Sequence, residues 1–280
     1  MTAELIDGAA LAARVLDQIA SATAERARRG LRPPVICTVL VGDDPSSHTY
    51  VRMKVNRALR VGIEPRRIDL PASTTTSELI SIIRGLAQDD EVDGILLQHP
   101  VPQHIDERAA FEAIPPEKDV DGVTHESLAR MAFGDPGFHS ATPGGIIRLL
   151  DAYDVTLPGT DAVVIGQGPI LGKPLGMMLV ARGATVTLCH RLTKDLRRHV
   201  ESADLVVAAA GVPLLVRGDW IKPGAVVVDA GYSPGNIGDV DFTPAAERAS
   251  KITPVPGGVG PMTIATLLEQ TLTAAVTRNP

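Results

Sequence analysis

The sequence is poor in the residues that several functional classes require. Aromatic residues make up only 3 % of the 280 positions, which disfavours nucleic-acid binding by base stacking. There is no long basic run, and the formal net charge is −6, so we expect no nucleic-acid partner. No apolar run approaches the roughly 20 residues of a transmembrane helix, and the first residues lack a secretory signal pattern. We therefore expect a cytoplasmic protein with no membrane partner.

Cysteine is also scarce. The two cysteines, Cys37 and Cys189, are far apart in the sequence, and each lies in an apolar run. A metal site would need more ligands at shorter spacing. We expect two reduced thiols in the core and no bound metal.

Apolar residues, in contrast, are plentiful enough for a large core. They make up 44 % of the chain, against 21 % charged residues. Continuous apolar runs such as 35–41 (VICTVLV) and 94–98 (GILLQ) alternate with helical patterns. This alternation is typical of parallel sheets that are covered by helices on both faces.

The length suggests more than one domain. An irregular stretch rich in proline and glycine, at 115–145, marks a boundary, and Thr142 and Pro143 near its end are expected to cap a helix that leads into the second domain. We predict an α/β protein of two domains that face each other across a cleft. The first, at 1–140, is a three-layer αβα catalytic domain, on which a C-terminal helix at 263–280 packs back. The second, at 141–262, is a Rossmann-type dinucleotide-binding domain with a mostly parallel sheet.

A glycine turn lies at the centre of the second domain. An apolar run ends at Ile165, and the chain turns at Gly166 and Gly168. An apolar helix that contains Gly172, expected roughly at 169–182, leads to a second strand. In such a βαβ unit the first turn binds a pyrophosphate, because glycine admits the backbone and the helix N-terminus offers free N–H groups. The spacing is one residue longer than the usual dinucleotide fingerprint, so a plain tight connection is the alternative.

Four polar residues mark a second site. Tyr50 and Lys54 are four positions apart on a predicted helix that follows run 35–41, so both point the same way. Gln98 ends another strand, and Asp121 lies in the irregular stretch beyond it. Ligands bind at the carboxyl ends of parallel strands, and a buried lysine can transfer protons. The alternatives are a solvated helix face and, for Asp121, a turn residue that bonds its own backbone.

Seven segments together resemble one enzyme family over nearly the whole chain. They are VGDDPSSHTYVRMK (41–54), GILLQHPVP (94–102), PPEKDVDG (115–122), TPGG (142–145), VVIGQGPILGKP (163–174), ATVTLCH (184–190) and PVPGGVGPMT (254–263). They are similar to the bifunctional methylenetetrahydrofolate dehydrogenase/methenyltetrahydrofolate cyclohydrolase family. The resemblance implies oxidation of 5,10-methylenetetrahydrofolate with a nicotinamide dinucleotide, hydrolysis of the 5,10-methenyl cation to 10-formyltetrahydrofolate, polyglutamylated folate substrates, and a homodimer formed through the cofactor domain.

The resemblance also implies roles for the four polar residues. Lys54 and Tyr50 match the family's lysine and tyrosine, Gln98 its strand-end glutamine, and Asp121 its pterin-binding aspartate. We hypothesise that Lys54, tuned by Gln98, assists water attack and ring opening. Tyr50 would pack on the folate ring and hold Lys54, and Asp121 would accept hydrogen bonds from the pterin.

The other matches form a substrate loop and a cofactor site. The substrate loop contains Gly260, Pro261 and Thr263. The residues expected to bind the cofactor are Gly166, Gln167, Gly168, Ile170, Gly172, His190, Arg191, Ala210, Gly211 and Gly231.

Two departures from the family bear on the cofactor. The family's turn usually reads Gly-Arg-Ser, and that arginine helps to hold the 2′-phosphate of NADP; here Gln167 stands in its place. The next strand usually ends in His-Ser but here ends in His190-Arg191, with no acidic residue to favour a free 2′-hydroxyl. We predict NADP, with Arg191 replacing the missing arginine. The alternative is a solvent-exposed Arg191 and a relaxed cofactor preference.

Two further departures concern the catalytic domain. His99 stands where the family usually has an apolar residue, and it either makes activity pH-dependent near neutrality or packs as a neutral ring. Ala141 stands where the family often has cysteine, which excludes a cysteine nucleophile there.

Two other functions remain as alternatives. One is a two-domain dehydrogenase of a hydroxy or keto acid with Lys54 as proton donor, which leaves the PVPGGVGPMT and KDVDG segments unexplained. The other is a non-catalytic nucleotide-sensing module, against which the joint presence of Tyr50, Lys54, Gln98 and Asp121 argues.

Overall fold

A computed structural model describes residues 3–279, in which strands and helices alternate. The strands in this part of the chain are β1 (Glu4–Leu5), β2 (Val35–Val41), β3 (Glu64–Leu70), β4 (Gly94–Leu97), β5 (Asp161–Ile165), β6 (Thr185–Cys189), β7 (Leu205–Ala208), β8 (Val226–Asp229) and β9 (Lys251–Ile252). The helices are α1 (Gly8–Arg28), α2 (Pro45–Arg60), α3 (Thr76–Gln88), α4 (Glu107–Phe111), α5 (His125–Phe133), α6 (Ala141–Ala152), α7 (Gly172–Ala181), α8 (Leu196–Ser202), α9 (Phe242–Arg248) and α10 (Val259–Arg278).

The described chain divides into two compact units, each with its own sheet. The six-stranded unit contains the residues up to Ala13, Met131–Asp135 and Ser140–Thr263. The three-stranded unit contains Arg14–Arg130, Pro136–His139 and the residues from Ile264 onward. The expected boundaries at 1 and 280 lie outside the described residues.

The three-stranded unit is built on a parallel sheet in the order β3-β2-β4. Every residue of the central strand β2 is buried, so both faces of the sheet are covered, as the apolar run predicts. The later part of α10 packs on this sheet. An added Cβ on Gly94 of β4 would lie 3.3 Å from the Thr271 hydroxyl, and Gln270 Nε2 donates to the Val120 carbonyl at 2.8 Å.

The six-stranded unit has a fully parallel sheet in the order β1-β9-β8-β7-β5-β6. Its core lies between the sheet and the helices α8 and α9, with Val206, Val227 and Ile252 fully buried. The sequence predicts four of these strands. β1 and β9 add two strands of only two residues each to the sheet, and strands of this length are too short to show a hydrophobic pattern in the sequence.

Three helices begin at other residues than the sequence predicts. The helix expected from Pro169 begins at Gly172, after a wider turn. Thr142 and Pro143, expected to cap a helix, lie within the first turn of α6. The helix expected from Thr263 begins at Val259. In the last two cases the proline occupies the first helical turn, where its missing N–H costs nothing.

Both cysteines are free and buried, in β2 and β6. Burial raises the pKa of the Cys37 thiol to about 11, so it stays protonated at neutral pH. None of the helices described in residues 3–279 combines the length and the apolar character that a membrane span requires.

Candidate active site

Lys54 and Gln98 meet at the carboxyl edge of the three-stranded sheet. The helix α2 that carries Lys54 begins directly after β2, where the Asp44 carboxylate caps it by accepting the Ser47 N–H at 2.7 Å. Gln98 follows β4, and Lys54 Nζ donates to its Oε1 at 3.0 Å. The amide nitrogen of Gln98 donates to the His99 carbonyl at 2.6 Å. That second bond fixes the amide so that its oxygen faces the lysine.

Lys54 and Asp121 influence each other electrostatically. Both side chains are half-buried. Burial lowers the pKa of Lys54, and the negative charge of Asp121 partly offsets this effect. Burial likewise raises the pKa of Asp121 to about 6, against the opposing effects of Lys54 and His99. Both groups are therefore shifted toward their neutral forms, and such shifts are common where protons are transferred.

Tyr50 lies one turn before Lys54 on the same face of α2. Its side chain is 36 % exposed, so an aromatic surface lies beside the lysine. The structure thus brings together four of the predicted residues in one unit: Tyr50, Lys54, Gln98 and Asp121.

Two buried charged residues hold the segment that carries Asp121. Lys118 is only 2 % exposed, and its Nζ donates three hydrogen bonds of 2.7–3.1 Å to carbonyls at the carboxyl end of α3. Asp119 is fully buried and accepts hydrogen bonds from the Thr124 N–H at 2.9 Å and the Ser127 hydroxyl at 2.6 Å. The sequence alone predicts no role for Lys118 or Asp119. The only signal was the pair of adjacent charges in the KDVDG segment.

His99 is exposed, so the expectation of a packed neutral ring is wrong. Its side chain is 54 % exposed, and its Nδ1 lies 2.7 Å from the Glu107 carboxylate. Burial raises the pKa of Glu107, but the hydrogen bond from His99 and the charges nearby outweigh it and lower that pKa. His99 therefore has an anionic partner in Glu107.

The predicted substrate loop is in fact helical. Gly260, Pro261 and Thr263 lie in the first turn and a half of α10, within the six-stranded unit. The Thr263 hydroxyl donates to the Thr142 hydroxyl at 3.1 Å. A Cβ on Gly260 would meet no atom within 4 Å, so packing does not require glycine there.

The glycine turn after β5 is shaped by close backbone contacts. Gly166 has a φ of +118°, and a Cβ there would lie 2.1 Å from a carbonyl oxygen of the segment after β7. A Cβ on Gly172 would lie 1.8 Å from the Gly166 carbonyl oxygen, whereas one on Gly168 would meet nothing within 4 Å. Gln167 is exposed and Ile170 half-buried.

The amino end of α7 suits an anion. Leu171, which precedes the helix, provides no side-chain cap among the described residues. Lys173 donates its N–H to the Gly168 carbonyl at 3.1 Å, and Pro174 has no N–H. The Gly172 N–H therefore remains for an anion at the positive end of the helix dipole. Together with the open backbone at Gly168, this end fits the pyrophosphate of a dinucleotide.

His190 and Arg191 follow β6 beside the glycine turn. The Gly166 N–H donates to the carbonyl of Cys189, the last residue of β6, at 2.9 Å. The His190 N–H donates to the Thr193 hydroxyl at 2.8 Å, which closes a tight turn. Arg191 in this turn is exposed and has no hydrogen bond or ion pair with any residue in 3–279. A free guanidinium at this place fits a 2′-phosphate.

The last three predicted cofactor residues surround one aspartate, Asp239. Its carboxylate accepts the N–H groups of Ala210 at 2.6 Å and Gly211 at 2.8 Å. A Cβ on Gly231 would lie 2.2 Å from the same carboxyl group. Nothing in the sequence alone singles out Asp239, because its partners come from a distant segment.

Sequence comparison identifies both parts of the chain. The catalytic domain of tetrahydrofolate dehydrogenase/cyclohydrolase matches residues 6–121, and the NAD(P)-binding domain of the same enzymes matches residues 140–279. Bifunctional protein FolD 1 from Salinispora arenicola is 64 % identical over 275 residues, which cover 98 % of this chain and 99 % of that protein.

Solved structures give the same result. The bifunctional FolD methylenetetrahydrofolate dehydrogenase/cyclohydrolase from Campylobacter jejuni matches with a TM-score of 0.95 and 42 % identity, over 98 % of this chain and 99 % of that one. The Trypanosoma brucei FolD, solved with NADP and an inhibitor, matches with a TM-score of 0.95 and 36 % identity, over 99 % and 98 % of the two chains. This chain therefore belongs to the tetrahydrofolate dehydrogenase/cyclohydrolase family.

Proposed function

We propose that this protein catalyses two consecutive reactions of one-carbon folate chemistry. The first is the NADP-dependent oxidation of 5,10-methylenetetrahydrofolate to the 5,10-methenyl cation, and the second is its hydrolysis to 10-formyltetrahydrofolate. Family membership supports both activities. The observation that carries the proposal is the contact of 3.0 Å between Lys54 Nζ and Gln98 Oε1, with Asp121 electrostatically coupled to the lysine.

The oxidation makes few demands on acid–base chemistry. Hydride leaves a carbon that is bonded to two nitrogens, so the resulting positive charge is delocalised and no proton has to be removed. NADP, when bound, accepts the hydride. The task of the protein is to hold the folate in a fixed orientation. Tyr50 offers a ring surface for the folate, and Asp121 offers carboxylate oxygens for the N–H groups of the pterin.

The hydrolysis does require proton handling. Water adds to the methenyl carbon and loses a proton. A carbon–nitrogen bond then breaks as the ring nitrogen gains a proton and the new hydroxyl group loses one to become the formyl oxygen, so that one proton is released overall. Lys54 suits this step because burial lowers its pKa, so its amine can accept and return a proton. Gln98 accepts a hydrogen bond from Lys54 and holds the amine in place for this transfer.

The cofactor site contains the groups that NADP requires. The N-terminus of α7 and the backbone at Gly168 would bind the pyrophosphate. Arg191 would bind the 2′-phosphate in place of the family's usual arginine, and its exposed, unpaired guanidinium supports this role. Binding of polyglutamylated folates and a cytoplasmic location remain predictions.

We also propose that the protein is a homodimer formed through the six-stranded unit. Leu214, Ile237 and Phe242 are 52 %, 41 % and 38 % exposed, and all three line one cavity of about 270 Å³. We call these three residues the apolar patch. Monomeric proteins rarely leave large apolar side chains exposed together, so the patch supports a contact with a second copy of the chain.

The proposed function is tested by assaying the two half-reactions separately. The purified protein should form NADPH from 5,10-methylenetetrahydrofolate and NADP. It should also consume added 5,10-methenyltetrahydrofolate without any cofactor, and both compounds are followed by their near-ultraviolet absorbance. A protein that performs neither half-reaction would contradict the proposal, and a protein that performs only one would restrict it to that reaction.

A further inference from the structure

Two buried carboxylates lie behind the cofactor site of the six-stranded unit. Asp229, the last residue of β8, is 4 % exposed, and Asp239 is fully buried. The Asp229 carboxylate accepts the N–H groups of Gly231 at 2.9 Å, Asp239 at 3.0 Å and Val240 at 2.9 Å. Asp229 therefore holds in place the backbone segment that contains Asp239.

Asp239 in turn fixes the loop that follows β7. One oxygen of its carboxylate accepts the N–H groups of both Ala210 and Gly211, at 2.6 and 2.8 Å. Within residues 3–279, the other oxygen is buried without a hydrogen-bond partner. A single charged oxygen that accepts two N–H groups holds the loop more firmly than a neutral acceptor would.

The same loop contacts the glycine turn. The N–H of Ala209, one residue before the two partners of Asp239, donates to the Ile165 carbonyl at 2.7 Å. The Ala209 carbonyl oxygen lies only 2.1 Å from the place that a Cβ on Gly166 would occupy. A shift of the loop would therefore be transmitted to the turn that binds the pyrophosphate.

Two glycines make room for the carboxylates. A Cβ on Gly231 would lie 2.2 Å from Asp239 Oδ1, and a Cβ on Gly238 would lie 2.0 Å from Asp229 Oδ2. Gly231, which the sequence assigned to the cofactor, thus has a separate steric reason to be glycine. The two carboxylates and the two glycines therefore form one closely packed arrangement that supports the loop, and they are not surface side chains that meet by chance.

We propose that Asp239 is a positioning residue for the cofactor, acting through the backbone of Ala210 and Gly211. The inference rests on the proposed NADP-dependent activity. It has a specific consequence, because hydrolysis of the methenyl compound uses water and no cofactor. Loss of Asp239 should impair oxidation through NADP binding and leave hydrolysis intact, whereas loss of a merely structural residue should impair both.

The Asp239→Asn variant tests whether oxidation is impaired while hydrolysis is retained. The amide keeps the shape of the carboxylate but loses its charge, and a neutral oxygen accepts the two N–H groups less strongly. We expect the KM for NADP to rise about tenfold. The KM for 5,10-methylenetetrahydrofolate and the cofactor-free hydrolysis rate should stay unchanged. An unchanged KM for NADP, or an equal loss of both activities, would overturn the proposal.

If Asp239→Asn does not fold, a second variant tests the proposal. Gly211 has a φ of +66° and open space around it, so Gly211→Ala strains the loop without a steric clash. Gly224→Ala is the matched control, because Gly224 has a φ of +85° and is equally open. It precedes β8 at the amino ends of the parallel strands, whereas Gly211 follows the carboxyl end of β7. We expect a higher KM for NADP in Gly211→Ala only; equal values in the two variants would contradict the inference. A wild-type protein without either activity would instead disprove the proposed function.

Discussion

At the residue scale, the environment of Lys54 determines which reaction depends on it. Replacing Lys54 with methionine keeps the length of the side chain but removes the amine that contacts Gln98. We expect cofactor-free hydrolysis of the methenyl compound to fall by about 100-fold or more, the usual contribution of a proton-transfer group. The oxidation should fall less, because hydride transfer needs no proton acceptor.

Steady-state rates of both half-reactions measure this difference. Arg57→Met is the matched control, because Arg57 is exposed and lies on the same helix. A Lys54→Met protein with full hydrolase activity would show that the lysine has no role in proton transfer.

The pKa of Asp121 predicts a pH dependence of folate binding. Burial raises this pKa to about 6, so the carboxylate is charged above that pH and becomes neutral as the pH falls through it. A neutral acid accepts hydrogen bonds from the pterin less well. We expect kcat/KM for 5,10-methylenetetrahydrofolate to be constant at higher pH and to fall below about 6.

The Asp121→Asn variant provides the control for this pH profile. It should have a lower kcat/KM that no longer changes in the same pH range. A variant profile that still bends near pH 6 would assign the titration to another group.

The sequence indicates the candidate substrate-binding residues better than the residues that hold them in place. Tyr50, Lys54 and Gln98 could be found because helical spacing and a strand end place them at the same edge. Lys118 and Asp239 could not, because their partners are backbone groups about 30 residues away in the sequence. A buried charge has a function only through the tertiary contacts that stabilise it.

At the scale of elements, two glycines of the turn after β5 are expected to have different roles: Gly172 in packing and Gly168 in cofactor binding. A Cβ on Gly172 would lie 1.8 Å from the Gly166 carbonyl oxygen, so Gly172→Ala should force the backbone apart. We expect this change to lower the free energy of unfolding by about 1–3 kcal/mol. Gly168→Ala meets nothing within 4 Å and should leave the stability nearly unchanged while raising the KM for NADP.

Urea denaturation and NADP kinetics distinguish the two glycine variants. If Gly168→Ala left the KM for NADP unchanged, the backbone at that position would not approach the cofactor. Equal stability of Gly172→Ala and the wild type would contradict the close packing described for the turn.

The predictability of the elements depended on their length and surroundings. The seven-residue strand β2 is buried throughout and was evident as a continuous apolar run. β1 and β9 have two residues each and exist only because they pair with neighbouring strands. The sequence predicts the start of α10 four residues too late, because a Gly-Pro pair usually indicates a loop.

At the scale of the whole molecule, the apolar patch predicts the state of assembly. Replacing Ile237, which is 41 % exposed, with aspartate puts a charge into the proposed contact. We expect the wild type to sediment as a dimer and Ile237→Asp to sediment as a monomer, because a buried unpaired charge is costly. Val276→Asp, at a residue that is 46 % exposed outside the patch, should remain dimeric.

Sedimentation velocity at several protein concentrations tests the assembly. A monomeric wild type would exclude the homodimer. A dimeric Ile237→Asp protein would show that the dimer contact lies on another surface.

The fold class and the family were both predictable from the order of the seven segments, and both predictions are confirmed. No single motif was sufficient, since a glycine turn between a strand and a helix occurs in many α/β proteins. The KDVDG and PVPGGVGPMT segments were more specific. The first is now explained in part by Lys118 and Asp119, which hold Asp121 in place.

The most direct test of the central claim is the initial rate of 5,10-methylenetetrahydrofolate oxidation, with NADP and NAD compared at matched concentrations. We predict oxidation with a strong preference for NADP, and we predict that Arg191→Ala weakens this preference by raising the KM for NADP alone. Equal rates with both cofactors would contradict the role of Arg191 and leave the reaction in place. No oxidation with either cofactor would contradict the proposed function itself.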